Sequence, residues 1–441
     1  MAKHLKLHSF TGATDHDFTG LVANQLLEFD GTNIVSLDTA TAGTILYVSP
    51  DGDDSTAVKG DFLHPYATIY SAKTSAVSGD IVYVLPQEFV FDNRNTAGNP
   101  YNGQVDTLVN LWKDGVTYYF SPGSKVTFYN QTVTGEPMYL FSPGGSTGET
   151  CTVLGELDWE GNSVGADSFN GHSVFFWHDI ADGGFTFRAK VKLLTSFASE
   201  VIRCQRLAGS TNLSILDIEG DEMYHQYLGG QTGTGASEGM RDEATSILEY
   251  STKFKKRARI GGFWLFRFNE DLTGSNINVY GDSLLSTATF PIFFLSNVSG
   301  VANVDIKNMY YEHTVFQTSG TGPFTLNLKG DFHDNNPNSD TGGIFLIATP
   351  GNTINYNGNI TTNTNGGVGR YISSINADGN TVNINGDINF IGTATTTQIH
   401  FQANGDSTIN YTGKITGNFA SSGIGRPRNG GTVNLNNAYI E

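Results

Sequence analysis

Apolar residues along this chain recur mostly at every second position, in short runs broken by Gly, Asn and Asp. Alternation of that period sends successive side chains to opposite faces of an extended strand, so the chain reads as many short β-strands. Helical periodicity is confined to residues 65–78, where Pro65 stands near the start and Gly79 supplies a stop. The predicted fold class is all-β.

A repeat in the carboxy-terminal half decides the architecture. The segment Phe324-Thr325-Leu326-Asn327-Leu328-Lys329-Gly330-Asp331 aligns with Asn352-Thr353-Ile354-Asn355-Tyr356-Asn357-Gly358-Asn359. Further copies are Asn380-Thr381-Val382-Asn383-Ile384-Asn385-Gly386-Asp387 and Ser407-Thr408-Ile409-Asn410-Tyr411-Thr412-Gly413-Lys414, with a frayed one at Gly431–Asn437. Thr325, Thr353, Thr381, Thr408 and Thr432 are spaced by 28, 28, 27 and 24 residues, and weaker copies begin at Ser275 and Ala302. A strand-forming repeat of this length suits one coil of a parallel β-helix, with the next coil stacked about 4.8 Å away. In that frame Ile354, Val382, Ile384 and Ile409 point inward, and Asn355, Asn383 and Asn410 line up outward in polar ladders. A β-sandwich or propeller is the competing architecture. A leucine-rich repeat fits less well, because no helix alternates with the strands.

Composition narrows the function. Charged residues make up 15% of the chain, below the roughly 25% of ordinary globular proteins, so amides, hydroxyls and glycine must cover the surface. Aromatic residues reach 12%, which excludes disorder for most of the length. The formal charge of −18 argues against a nucleic-acid partner, which needs a basic face to displace counterions. No apolar run approaches the ~20 residues of a membrane span, and no apolar stretch follows Met1-Ala2-Lys3 as a signal peptide requires. The expectation is a protein made in a cytoplasm and released, if at all, by lysis. Cys151 and Cys204 are too few for a disulfide framework. They lie about two coils apart, near 10 Å if they share a face, and read as buried apolar fillers.

Three segments of the first half carry a family resemblance: Leu46-Tyr47-Val48-Ser49-Pro50-Asp51-Gly52-Asp53-Asp54, His64-Pro65-Tyr66-Ala67-Thr68-Ile69, and Ser78-Gly79-Asp80-Ile81-Val82-Tyr83-Val84-Leu85-Pro86. Together they resemble the opening of pectate-lyase-like right-handed parallel β-helices, in which a short helix caps the first coil. Residues 8–36, from His8-Ser9-Phe10-Thr11-Gly12 to Gly31-Thr32-Asn33-Ile34-Val35, are similar to short segments near the fibrous modules of bacteriophage tail and head fibres. The combination resembles a phage tail spike or fibre. The resemblance implies a homotrimer that sits on the virion, docks on other virion proteins through its amino terminus, and binds host cell-surface polysaccharide. The domains expected are an attachment segment at 1–43 (anchors Phe10, His16, Asp17, Phe18 and Leu21), a capped β-helix at 44–228, an inserted loop at 229–260, and Asn/Thr-rich coils at 261–441. The basic stretch Lys253 to Arg259 falls in that loop.

Two alternatives stay open: a polysaccharide depolymerase on the same scaffold, and a purely architectural capsid or tail component. A depolymerase needs paired carboxylates. Asp217 and Glu219 are two apart on a predicted strand, hence on one face, with Tyr224 and His225 close behind as glycan contacts. Asp158 and Glu160 flank Trp159 in the same way, and an exposed indole there would suit stacking on a sugar ring. Asp331, His333 and Asp334 read as a polar corner. No metal site and no cofactor is expected: His8 and His16 beside Asp15 and Asp17 read as turn and capping residues, and no zinc spacing, phosphate-cradling loop or Ser-His-Asp order is present.

Overall fold

The computed structural model describes residues 27–29, 34–36, 43–92, 110–130, 138–163, 173–178, 184–196, 200–204, 213–226, 238–242, 248–261, 264–268, 276–286, 293–296, 299–311, 314–319, 323–334, 343–363, 371–391, 401–417, 424–436 and 438–440. Among them Leu27–Phe29 and Ile34–Ser36 form an antiparallel pair. The other strands pair in parallel, in one sheet of 21 strands and one of 11. The chain is therefore all-β, with parallel strands stacked coil upon coil as in a β-helix-like solenoid.

Each coil visits three rows. The first row begins at Ile45–Val48 and Ile81–Val84 and ends at Thr408–Thr412 and Thr432–Leu435. The second runs from Glu88–Asp92 through Lys125–Asn130, Asp158–Ser163 and Lys414–Gly417 to Tyr439–Ile440. The third, which forms the smaller sheet, runs from Met138–Phe141 through Ser173–His178 to Gly425–Arg428. In the middle coils one long strand, such as Ser214–Gln226, serves the first two rows in turn.

From Phe324 onward the sequence repeat and the stacking register coincide, whereas the weaker copy expected to begin at Ala302 is two residues out: Gly300 stands opposite Phe324 and Asn303 opposite Asn327. Thr325 stands opposite Thr353, Thr353 opposite Thr381, Thr381 opposite Thr408, and Thr408 opposite Thr432. Ile354, Val382, Ile384 and Ile409 are at most 2% exposed and share one core with Phe332, Phe345 and Tyr356. The first residue of each copy is a buried acceptor that ties coils together: Asn352 Oδ1 accepts from Phe324 N–H, Asn380 Oδ1 from Asn352 N–H, and Ser407 Oγ from Asn380 N–H. The eighth does the same at the outer corner. Asp331, Asn359 and Asp387 accept from the backbone N–H of Asn359, Asp387 and Lys414. In the four full copies the seventh is glycine, where a side chain has no room: a Cβ on Gly386 would stand 1.9 Å from the carbonyl oxygen of Gly358.

The helix is shorter than its periodicity predicts, spanning Ile69–Ser75. Thr68 is its N-cap: its hydroxyl accepts from Ser71 N–H, and Asp54 holds the preceding turn through the N–H groups of Ala67 and Thr68. Pro65 lies before this turn. Ile69 and Ala72 enter the core against Ile45–Val48, the strand at the amino-terminal edge of the first row.

Two expectations need correction. Residues 238–242 and 248–261 are strands of the third row and of the first two rows, so the basic stretch Lys253 to Arg259 belongs to the solenoid and not to an inserted loop. Charged residues read as a loop there because outward strand positions tolerate them as readily as a loop does. Cys151 lies in the first row and Cys204 in the third, so they do not share a face. Cys151 is buried, which pushes its thiol up to about 12.

An Ile384→Asp variant should fail to fold, because the new carboxylate would be buried without a partner at a cost of several kcal/mol. Soluble variant protein with an unchanged thermal transition would overturn the inward frame. Asp80 ties the first coil in the opposite sense. Its carboxylate accepts from Thr44 N–H, Val77 N–H and Lys59 Nζ. Partial burial alone would raise its pKa, but these donors hold it below the ordinary carboxylate value. That contribution, about 1.5–3 kcal/mol, is present above the unfolded pKa near 4 and lost as pH falls through the folded value. Asp80→Asn should therefore melt lower than the parent at pH 7, and the gap should narrow as the pH falls through the lowered value of the folded carboxylate.

Candidate functional site

On the first row, two columns of in-register positions run along the solenoid. One passes from Arg188 through Asp217 and Ser251 into Asn278, Asn303, Asn327, Asn355, Asn383, Asn410 and Asn434. The other passes from Lys190 through Glu219 and Lys253 to Tyr280, Asp305, Lys329, Asn357, Asn385 and Thr412.

The asparagines form a hydrogen-bonded ladder. Asn303 donates to Asn278 at 3.1 Å, Asn327 to Asn303 at 2.9 Å, Asn355 to Asn327 at 2.9 Å, and Asn383 to Asn355 at 2.8 Å. Asn410 then donates to Asn383, and Asn434 to Asn410, each at 2.8 Å. In-register stacking makes this possible, because identical amides one coil apart are within reach of one another. Between the columns lies a cavity of about 590 Å³, extending from Tyr280 to Thr412. Its charged lining residues, Asp305 and Lys329, pair with each other at 2.7 Å.

Asp217 and Glu219 stand in the same two columns, on coils before the cavity. Asp217 is exposed and in register with Arg188; Glu219 is half-buried and in register with Lys190 and Lys253. The shared face expected of this pair is present.

Asp158 and Glu160 lie on the second row and so do not join them. Asp158 pairs with Lys192 at 3.4 Å, and Glu160 with Lys125 at 3.0 Å while accepting from Asn162 at 2.9 Å. Burial works against the Lys125 ammonium, but hydrogen bonds and charge from Glu160 and Glu88 hold its pKa above the ordinary lysine value. Tyr224 is half-buried in the same second-row column as Glu160, two coils on, with Thr195 between them. His225 is in register with Ser196 and Ile260, and its side chain lies outside the description. Phe10, His16, Asp17, Phe18 and Leu21 lie outside the described residues.

The exposed indole expected at Trp159 is corrected. Trp159 is 0% exposed, with its ring 6.0 Å from Phe128 and 5.8 Å from Phe175, and Gly161 leaves room for it: a Cβ there would meet the indole at 2.6 Å. The alternation that turns Asp158 and Glu160 outward turns Trp159 into the core. A sugar cannot reach it.

The amide ladder and its cavity were visible in the sequence only as outward asparagines, not as a site. The signal was there in the Asn held at the fourth position of each copy. Among the described residues no group of three or more His, Cys, Asp or Glu could hold a metal ion, and no helix is long and apolar enough to cross a membrane. Comparison with family models, curated proteins and solved structures finds no match to this chain.

Trp159→Ala should cost about 3–5 kcal/mol of stability, read from denaturant or thermal unfolding. A variant that melts normally but loses saccharide binding would restore the indole to the surface.

Proposed function

We propose that this chain is a bacteriophage virion protein of the tail-spike or fibre type, a trimeric right-handed parallel β-helix that binds host cell-surface glycan. The observation that carries the reading is the first-row face, where a cavity of about 590 Å³ runs along an unbroken amide ladder. Uncharged donors and acceptors fixed on a rigid sheet suit a polyhydroxylated polymer. Their order is set by folding, so little freedom is lost on binding. Three copies would add avidity. In this reading residues 1–43 dock on virion partners, through Phe10, His16, Asp17, Phe18 and Leu21.

One observation favours a second reading, a depolymerase. Asp217 and Glu219 stand on the same face as the cavity, two positions apart on one strand, or roughly 6.8 Å along the backbone. Carboxyl groups carried on one face at that backbone spacing are compatible with the roughly 6.5–9.5 Å separation of inverting glycosidases, and not with the roughly 5–5.5 Å of retaining ones.

The isolated full chain should adsorb to polysaccharide-bearing bacterial cells and release no reducing ends, and Asp217→Asn with Glu219→Gln should leave adsorption intact. Reducing ends that appear with the parent protein and vanish with these substitutions would move the assignment to the depolymerase. Absence of adsorption to cells would leave an architectural component.

A further inference from the structure

We infer that the cavity over the amide ladder binds a neutral polysaccharide strand lying along the solenoid axis, a proposal that rests on the glycan-binding reading above. The first ground is hydrogen-bond capacity. A carboxamide has two N–H donors and two acceptor positions. Asn327, Asn355, Asn383 and Asn410 each donate once to the preceding coil and accept once from the following one. Each therefore keeps one N–H and one acceptor position unused by the ladder, repeated at the coil spacing of about 4.8 Å. A saccharide hydroxyl both donates and accepts, so a chain of sugar rings can satisfy this row rung after rung. An apolar occupant would strip water from these groups and leave them unmet.

The second ground is charge. Asp305 and Lys329 neutralise one another at 2.7 Å, and the rest of the lining is amide, hydroxyl, apolar or tyrosine. Nothing in the cavity offers an unpaired cation to a carboxylated or sulfated polymer, and the chain's net charge of −18 opposes a polyanion at longer range. A basic residue does occur on this face, but on a coil before the cavity, where exposed Lys190 is in register with Glu219. The neutral stretch is thus a distinct part of the face. Tyr280, 40% exposed, closes its amino-terminal end and offers a ring to sugar C–H groups.

Affinity electrophoresis of the full chain tests this, with dextran, mannan and galactomannan as neutral probes and polygalacturonate and hyaluronate as acidic ones. At least one neutral polymer should retard the protein and neither acidic one should. Asn385→Trp fills the cavity from the second column, where Asn385 is exposed and outside the ladder. It should weaken retardation about tenfold, the equivalent of roughly 1.4 kcal/mol, with the melting temperature unchanged. Asn383→Asp, which removes one rung's donor and adds a charge, should weaken it at least as much. Retardation by a neutral polymer that both variants leave unchanged would overturn the cavity assignment and leave glycan binding standing. Retardation by the acidic polymers alone would overturn neutrality. No retardation by any of the five would overturn both this inference and the reading beneath it.

Discussion

Parallel backbone pairing between successive coils, held in one register from coil to coil, is the constraint on which every other feature rests. Once Thr353 stands opposite Thr325 and Thr381, every following residue of the copy stands opposite its equivalent. Side chains then meet their own kind. Apolar residues stack into a continuous core, asparagines into a ladder, and corner glycines over corner carbonyls. A slip of one residue would reverse every side chain, sending Ile384 outward and Asn383 into the core. The polar ladders therefore matter less for their net energy, about 1 kcal/mol per bond, than for allowing a single register.

That constraint explains why the repeat tolerates variation at some positions and not at others. The inward positions accept Ile, Val, Leu or Tyr, because the core asks for volume and an apolar surface. Where tyrosine is used its hydroxyl must still find a partner, and Tyr356 Oη reaches the carbonyl oxygens of Gly330 and Asn359 at the corner. In the full copies the corner glycine leaves no room for a side chain, since the preceding coil's carbonyl occupies the space of its Cβ. The sixth position is free. Its column changes from charged to amide along the solenoid, over the same coils in which the register shifts of the long middle strands give way to two short strands per coil.

Much of this was legible in the sequence, because a period of two and a repeat near 25 residues leave few ways to stack the chain. From Phe324 onward the copies align in their stacking register, and the inward and outward residues follow from it; before Phe324 the copies are too degenerate to fix it, and the one at Ala302 is two residues out. The site was harder to read, for a physical reason. Asp158, Trp159 and Glu160 are neighbours in sequence, but alternation divides them between solvent and core, so proximity along a strand does not make a constellation. Asp217 and Glu219 follow the same alternation: two apart, they share a face, as Asp158 and Glu160 do. The strand at residues 248–261 escaped notice because its long polar run lacks the repeat's apolar beat, and only its neighbours on either side define it.

The face that carries the candidate site has two electrostatic characters on one geometry. On the coils around Glu219, charged residues stand in register along the column. On the coils from Asn327 to Asn410, the first column is all amide. Where a charged pair is closed, as Asp305 and Lys329 are, a ligand must first break an interaction the protein already makes with itself. Amides in a ladder behave differently: each spends half its capacity on its neighbours, which fixes its orientation, and keeps the other half pointed at whatever lies alongside. The ladder is therefore a structural device first, and in the proposed reading the same amides serve as the recognition surface. The in-register stacking that holds the solenoid together would then set the spacing at which a bound polymer presents its hydroxyls.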